Sequence, residues 1–479
     1  MTAGTLPPDF RWGFATASYQ IEGAYDEDGR LPSIWDTFSK TPGKVDDGTN
    51  GDVACDSYHR LEEDVALLKS YGAQVYRFSI AWPRIIPLGG RNDPINEKGL
   101  EYYSKLVDAL LAAGIEPIVT LYHWDLPEEL YKRYRGPLNK EEFVADFTRY
   151  ARVVFDALSP RVKKWITFNE PWCISVLGYN VGKHAPGRTS NRKLSPEGDG
   201  AREPWIVGHT LLVAHGTVVD IYRREYKEKY GGEIGITLNG DWAEPWDPED
   251  PRDVEACDRK IEFAISWFAD PIYHGKYPDS MRKQLGDRLP TFTDEEIALV
   301  KGSNDFYGMN HYTANYIRHR DGEPAEDDVA GNLDHLFEDK FGNSIGPESN
   351  CPWLRPHAPG FRKLLKWLAN RYGNPKIYVT ENGTSVKGEN DLPLEQLLDD
   401  KFRQQYYKDY IAALVEAVNE GVNVKMYMAW SLLDNFEWSE GYQSRFGVTF
   451  VDYKNGQKRI PKKSASVVRE QFEKYIRKE

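Results

Sequence analysis

The chain has 479 residues and a formal net charge of −13, from 61 basic and 74 acidic side chains. That balance argues against nucleic acid or an anionic membrane as partner, since both call for a basic surface. The four cysteines (Cys55, Cys173, Cys257 and Cys351) have no CxxC or Cys/His spacing, so free thiols and no metal site are expected.

Short apolar runs alternate with amphipathic stretches along the chain. The run 11–17 is the first predicted strand, followed by a loop rich in Gly, Asp and Pro to about 56 and a helix over 61–71 that Gly72 stops. A second strand at 75–80 carries Arg77, a cation in an apolar run that needs a carboxylate partner. A helix over 97–113 presents Leu100, Leu106, Val107, Leu110 and Leu111 on shared faces. The third strand, 117–122, runs into His123 and Trp124. A helix over 141–158 leads to the fourth strand, 164–169.

Further helices are predicted over 204–229 and 253–268, with strands at 234–239 and 305–310. Residues 320–359 are polar with Gly and Pro, and read as a long insertion loop. Helices over 361–372 and 402–419 flank a strand at 377–381, and an eighth strand covers 424–430. A hairpin around Asn455-Gly456 and a helix over 462–478 close the chain. Eight strands with helices between them, and no linker of biased composition, predict an α/β protein. The architecture expected is a single (β/α)8 barrel with long βα loops spanning 1–479.

Two strands end alike. Trp165-Ile166-Thr167-Phe168-Asn169-Glu170-Pro171 and Ile377-Tyr378-Val379-Thr380-Glu381-Asn382-Gly383 each deliver a carboxylate at the close of an apolar run. A buried carboxylate costs several kcal/mol unless paired, so one such Glu reads equally well as a structural salt bridge. Two at the ends of barrel strands are what glycosidic bond cleavage requires. Other polar or aromatic residues collect at the same strand ends: His123, Trp124, Asn239, Asn310, Tyr312 and Trp430.

These motifs, with Phe14-Ala15-Thr16-Ala17-Ser18-Tyr19-Gln20-Ile21-Glu22-Gly23 and Trp430-Ser431-Leu432-Leu433-Asp434-Asn435-Phe436-Glu437-Trp438, resemble glycoside hydrolase family 1, the retaining β-glucosidases, over nearly the whole chain. The resemblance implies that Glu381 is the nucleophile and Glu170 the general acid and base. Arg77, Asn310 and Tyr312 would support the two carboxylates. It implies that Gln20, His123, Asn169 and Glu437 bind the sugar hydroxyls. Trp124, Trp430, Trp438 and Phe446 would line the same subsite. On the leaving-group side it implies Trp172, Cys173, Leu177, His184, Asn239 and Trp353, with Trp353 a stacking platform and Cys173 a small packing residue. Trp172 and Leu177 are expected to narrow the entrance against product glucose.

The resemblance further implies cellobiose, short cello-oligosaccharides and aryl β-glucosides as substrates, and no cofactor. Glu437 would disfavour a 6-phosphate, and family members that use phosphorylated sugars carry Ser and Lys in this region. Thioglucosidase relatives carry Gln at the acid position, so Glu170 points to O-glycosides. Three other readings stay open: a β-galactosidase or β-fucosidase, a net transglycosylase on the same site, and a sugar-binding protein on a retired barrel. The N-terminal sequence lacks a charged-then-apolar leader, no run reaches 18 apolar residues, and the one N-x-S/T sequon falls at Asn382, beside Glu381. A cytoplasmic protein is therefore expected.

Overall fold

Eight parallel strands close on themselves in the computed structural model, which describes residues 5–477. In chain order they are β1 (Arg11–Ala15), β2 (Val75–Ser79), β3 (Glu116–Tyr122) and β4 (Lys164–Asn169), then β5 (Glu233–Asn239), β6 (Tyr307–Asn310), β7 (Ile377–Glu381) and β8 (Val424–Trp430). Each strand pairs with its sequence neighbours, and β8 returns to β1 through Ala15 opposite Trp430. Such closure leaves no open sheet edge.

The strands are rich in Val, Ile, Tyr and Phe because both of their faces are covered. Val75, Ile118, Ile166, Tyr378, Met426 and Met428 fill the barrel interior. Tyr76, Val119, Trp165, Val379 and Tyr427 pack outward against the helices. The helical boundaries fall within a few residues of the pattern. Asn139 caps Lys140–Leu158 through its side chain, and left-handed Gly373 terminates Ala358–Tyr372. Two predicted helices run on through wide turns: Glu203–Ile221 through Tyr222–Lys227, and Pro251–Ile261 through Glu262–Ser266 into Trp267–His274.

The expected insertion loop is a correction. Within it, Leu333–Leu336 pairs antiparallel with Ala314–His319, which pairs parallel with Trp242–Pro245. This three-stranded sheet sits outside the barrel, over the loops after β5 and β6. The hairpin is formed by Thr449–Asp452 and Lys458–Pro461. The closing helix is Lys463–Tyr475; the last residue of its predicted span, 478, lies outside the described residues. No described helix is long and apolar enough to cross a membrane.

Candidate active site

The two carboxylate-bearing strands share a local irregularity. Pairing between β4 and β5 slips between Ile166 and Asn169, and pairing between β7 and β6 slips between Val379 and Glu381. Along β7, Tyr378 faces the interior and Val379 the helices, so strict alternation would turn Glu381 outward. The bulge re-aims Glu381 into the barrel mouth. Gly383, just beyond, lies so close to Trp430 that a Cβ would meet its carbonyl oxygen at 1.9 Å. Trp124, Glu170 and Trp438 are held at positive φ of 76°, 51° and 47°. That conformation costs of order 1–3 kcal/mol per residue and persists only where surrounding packing imposes it.

Arg77 sits beneath the mouth, fully buried. Its Nη1 donates to Glu381 Oε1 at 2.7 Å, and its Nη2 donates to Asn169 Oδ1 at 2.7 Å. The carboxylate partner that Arg77 required is thus Glu381. Tyr312 donates its hydroxyl to Glu381 Oε2 at 2.6 Å. Asn310 Nδ2 donates to Glu170 Oε1 at 2.7 Å and to Asn169 Oδ1 at 3.0 Å, while its own Oδ1 accepts from Thr380 Oγ1 at 2.7 Å. Because Asn169 Oδ1 accepts these two bonds, its amide nitrogen is left to donate to His123 Nε2 at 3.0 Å.

The two carboxyl groups have different surroundings. Burial, and then the charge of Glu381, push Glu170 up to about 8; the Cys173 and Asn310 hydrogen bonds and Arg77 pull the other way. Burial also raises Glu381, but Arg77 opposes it by charge and hydrogen bond, and Tyr312 by hydrogen bond. With a cation and a phenol acting against that rise, the pair favours the proton on Glu170 and the charge on Glu381. Burial and the Arg77 charge keep His123 well below the ordinary imidazole range, so the ring is neutral. Burial, then Glu440, Glu381 and Glu170, push Glu437 well above the carboxylate range.

A pocket of about 350 Å³ opens above this cluster. Its walls include every expected site residue except Arg77, which lies below the floor. The sugar side is formed by Gln20, His123, Trp124, Asn169, Trp430, Glu437, Trp438 and Phe446. His123 lies nearly parallel to both Trp430 and Trp438. Gln20 Oε1, His123 Nδ1 and Glu437 Oε2 are buried without a partner among the described residues, an arrangement that sugar hydroxyls would complete. Trp172, Cys173, Leu177, His184, Asn239 and Trp353 lie on the outer side, and Trp353 is 40% exposed.

Cys173 is more than packing: its thiol donates to Glu170 Oε2 at 3.0 Å. Asp241, Lys183, Ser439 and Glu440 also line the pocket and escaped the sequence reading. Glu440 stands two residues after Trp438 in the next turn, and a carboxylate so near the motif was the available signal. Asp241, Lys183 and Ser439 carried none. Asn382, the sequon residue, is buried, and its amide is spent on the His311 carbonyl and the Tyr406 hydroxyl.

A closed barrel with an ionised carboxylate and a protonated carboxyl facing one sugar-sized pocket at the strand ends defines a glycoside hydrolase. The sequence matches Glycosyl hydrolase family 1 over residues 2–474. The chain belongs to that family and is an enzyme of its β-glucosidase group. It is similar to a GH1 β-glucosidase from the fungus Humicola insolens, solved in complex with glucose. Identity there is 68%, with 99% of this chain and all of that one covered, at a TM-score of 0.99. The β-glucosidase from Trichoderma harzianum is 61% identical, with 99% of each chain covered and a TM-score of 0.96. "Beta-glucosidase 1B" of Phanerodontia chrysosporium is 57% identical over 98% of this chain and 86% of its own length.

Proposed function

We propose that the enzyme releases terminal non-reducing β-D-glucosyl units from cellobiose, short cello-oligosaccharides and aryl β-glucosides by double displacement with retention. Glu381 attacks the anomeric carbon while Glu170 gives its proton to the leaving oxygen. Glu170, now a carboxylate, then takes a proton from the water that opens the glycosyl–Glu381 ester. The observation that carries this reading is the asymmetry between the carboxyls: Arg77 ion-pairs with Glu381, and among the described residues no cation bonds to Glu170.

Gln20, His123, Asn169 and Glu437 hold the hydroxyls, and Trp430 stacks under the ring. Asn169 is held by Arg77 and Asn310 next to both carboxyls, which supports a contact to the 2-hydroxyl that strengthens at the transition state. Four buried, unpaired thiols support a reducing, cytoplasmic setting.

The test is nitrophenol release from 4-nitrophenyl β-D-glucoside by the wild type and by Glu381→Gln. Turnover by the wild type with a loss of several orders of magnitude in the variant is expected, and the first-formed sugar should be the β-anomer by NMR. A silent wild type, or a first-formed α-anomer, would defeat the reading.

A further inference from the structure

Helix Lys401–Asn419 lies between helices Ala358–Tyr372 and Lys463–Tyr475 on the outside of the barrel. Tyr406, Tyr407 and Tyr410, at helical spacing, share its buried face. Phenylalanine would fill the same space, and a hydroxyl buried without a partner costs free energy, so the three oxygens need a reason. All three donate to backbone carbonyls of pocket residues. Tyr407 bonds to the Trp430 carbonyl at 3.1 Å. Tyr406 and Tyr410 both bond to the Tyr312 carbonyl, at 3.1 and 3.2 Å. Among the described residues that carbonyl accepts no backbone N–H, so the two phenols are what hold it.

Tyr406 has a second partner. Its hydroxyl accepts from Asn382 Nδ2 at 3.0 Å, and Asn382 directly follows Glu381 in the chain. Tyr312 in turn donates its own hydroxyl to Glu381 Oε2 at 2.6 Å. The bonds close a circuit: Glu381 to Asn382 through the chain, Asn382 to Tyr406, Tyr406 to Tyr312, and Tyr312 back to Glu381. His311, beside Tyr312, ties the same two loops by donating its N–H to the Glu381 carbonyl at 3.0 Å. Tyr406 and Tyr410 stack on each other with ring centroids 3.9 Å apart, and neither lines the pocket.

We propose that Tyr406, seconded by Tyr410, is a positioning residue for the nucleophile: it fixes the Tyr312 backbone so that the Tyr312 hydroxyl stays on Glu381 Oε2. This rests on the reading of Glu381 as the nucleophile. A helix one layer outside the pocket thereby sets how the carboxylate is aimed and how firmly its charge is held. The hydroxyls act only through Tyr312, so removing them should matter only while Tyr312 has a hydroxyl to aim.

The test reads the first step with 2,4-dinitrophenyl 2-deoxy-2-fluoro-β-D-glucoside. The Glu381 carboxylate bonds to the anomeric carbon, and the bond to dinitrophenolate breaks with its electron pair leaving on the phenolate oxygen. The burst of dinitrophenolate counts competent molecules, so a preparation that folds poorly is still read on the fraction that reacts. Tyr406→Phe should slow inactivation about five- to tenfold and Tyr410→Phe about two- to threefold, the worth of single hydrogen bonds. Both losses should disappear in the Tyr312→Phe background. The acidic limb for Tyr406→Phe should move upward by up to about one pH unit, because a loosened Tyr312 bond favours the ionised Glu381 less. Arg77, Glu170, Tyr312 and Glu437, the titratable groups that act with Glu381, are all unchanged in that variant. Equal factors with and without the Tyr312 hydroxyl, or wild-type rates in Tyr406→Phe, would overturn the role. Where Tyr406→Phe gives no burst, the pairing of Tyr410→Phe with Tyr312→Phe decides by the same criterion. Peptide mass spectrometry of the inactivated wild type places the label. Label on Glu381 with equal factors defeats only the role of the tyrosines; label elsewhere defeats the reading of Glu381 and this inference with it.

Discussion

Arg77 Nη1 lies 2.7 Å from Glu381 Oε1, with the arginine side chain fully buried and the glutamate side chain 5% exposed. The same guanidinium holds Asn169 at 2.7 Å, so one cation fixes both the charge of the nucleophile and a sugar-binding amide. Removing one partner of a buried ion pair costs about 3–5 kcal/mol. Arg77→Met should therefore lower kcat/KM on 4-nitrophenyl β-D-glucoside by at least about a hundredfold. Without the cation Glu381 holds its proton to higher pH, so the acidic limb of the pH–rate profile should move upward. A variant with an unmoved acidic limb would show that Arg77 serves only the fold.

Glu170 should matter in proportion to how much its proton is needed. General acid catalysis contributes about 10²–10⁴-fold. Glu170→Gln should lose that much on cellobiose, whose leaving sugar is a poor leaving group. It should lose far less in the first step on 2,4-dinitrophenyl β-D-glucoside, whose phenolate leaves unaided. A burst of dinitrophenol followed by slow turnover is the expected trace, because the variant has no base for the second step. Equal loss on both substrates would move the acid role elsewhere.

The barrel was legible because its strands are short, mostly apolar runs rich in β-branched and aromatic residues, such as Glu116–Tyr122 and Ile377–Glu381, with helical stretches between them. The outer sheet was not. Ala314–His319 and Leu333–Leu336 are short and mix apolar with polar residues at no regular period, and the first pairs with Trp242–Pro245 some 72 positions away, a pairing no local pattern announces. Short helices such as Ile34–Lys40 and Asp294–Val300 were overlooked, although the capping boxes Ser33 to Asp36 and Thr293 to Glu296 marked their starts. At the site, the motifs named the carboxylates, but the bulges that aim Asn169 and Glu381 are properties of strand pairing. The Cys173 bond to Glu170 depends on a turn at positive φ, which sequence does not display.

That bond carries its own prediction. The thiol donates to the carboxylate form of Glu170 and so favours it. Cys173→Ala removes the donor, and Glu170 should keep its proton to higher pH. Glu170 acts as an acid only while protonated, so activity falls as pH rises through its titration. In the variant the alkaline limb of kcat/KM should shift upward by up to about one pH unit, the equivalent of a single hydrogen bond of about 1 kcal/mol. A pH–rate profile with 4-nitrophenyl β-D-glucoside decides it; a downward shift would contradict the geometry.

Asp434 supports the loop that carries Glu437 and Trp438. It is fully buried between Lys462 Nζ at 2.7 Å and Arg445 Nη1 at 2.7 Å, and it accepts the Gly447 backbone N–H at 3.0 Å. Lys462, Arg445 and Arg403 together outweigh burial and hold the carboxyl below its ordinary range. Asp434→Asn leaves two buried cations short of charge, at a cost of about 3–5 kcal/mol. The thermal midpoint should fall by several degrees at pH 7. A depressed carboxyl contributes stability above its unfolded titration near pH 4 and loses it as pH falls through the folded value. The gap between wild type and variant should therefore narrow in acid, and a gap that widens there would be inconsistent with an ionised Asp434.

Glu440 joins the two sides of the pocket. Its Oε1 accepts from Trp353 Nε1 at 3.3 Å, and its Oε2 accepts from Ser444 Oγ at 2.6 Å and Cys351 Sγ at 3.1 Å. Trp353 is otherwise well exposed, so this bond orients the platform over which the leaving group passes. Glu440→Ala frees the indole and removes one of the charges that raise Glu437. The first effect falls on the leaving group, the second on the sugar common to all substrates. KM for cellobiose should rise about three- to tenfold, the worth of one ordinary hydrogen bond of about 1 kcal/mol, with kcat within about twofold. The 2,4-dinitrophenyl 2-deoxy-2-fluoro-glucoside, which labels the nucleophile, should inactivate the variant at close to the wild-type rate. Glu440→Gln, which can still accept from Trp353, should restore most of the KM. An equal rise in KM for Gln and Ala would place the effect on charge at Glu437 instead of on the indole.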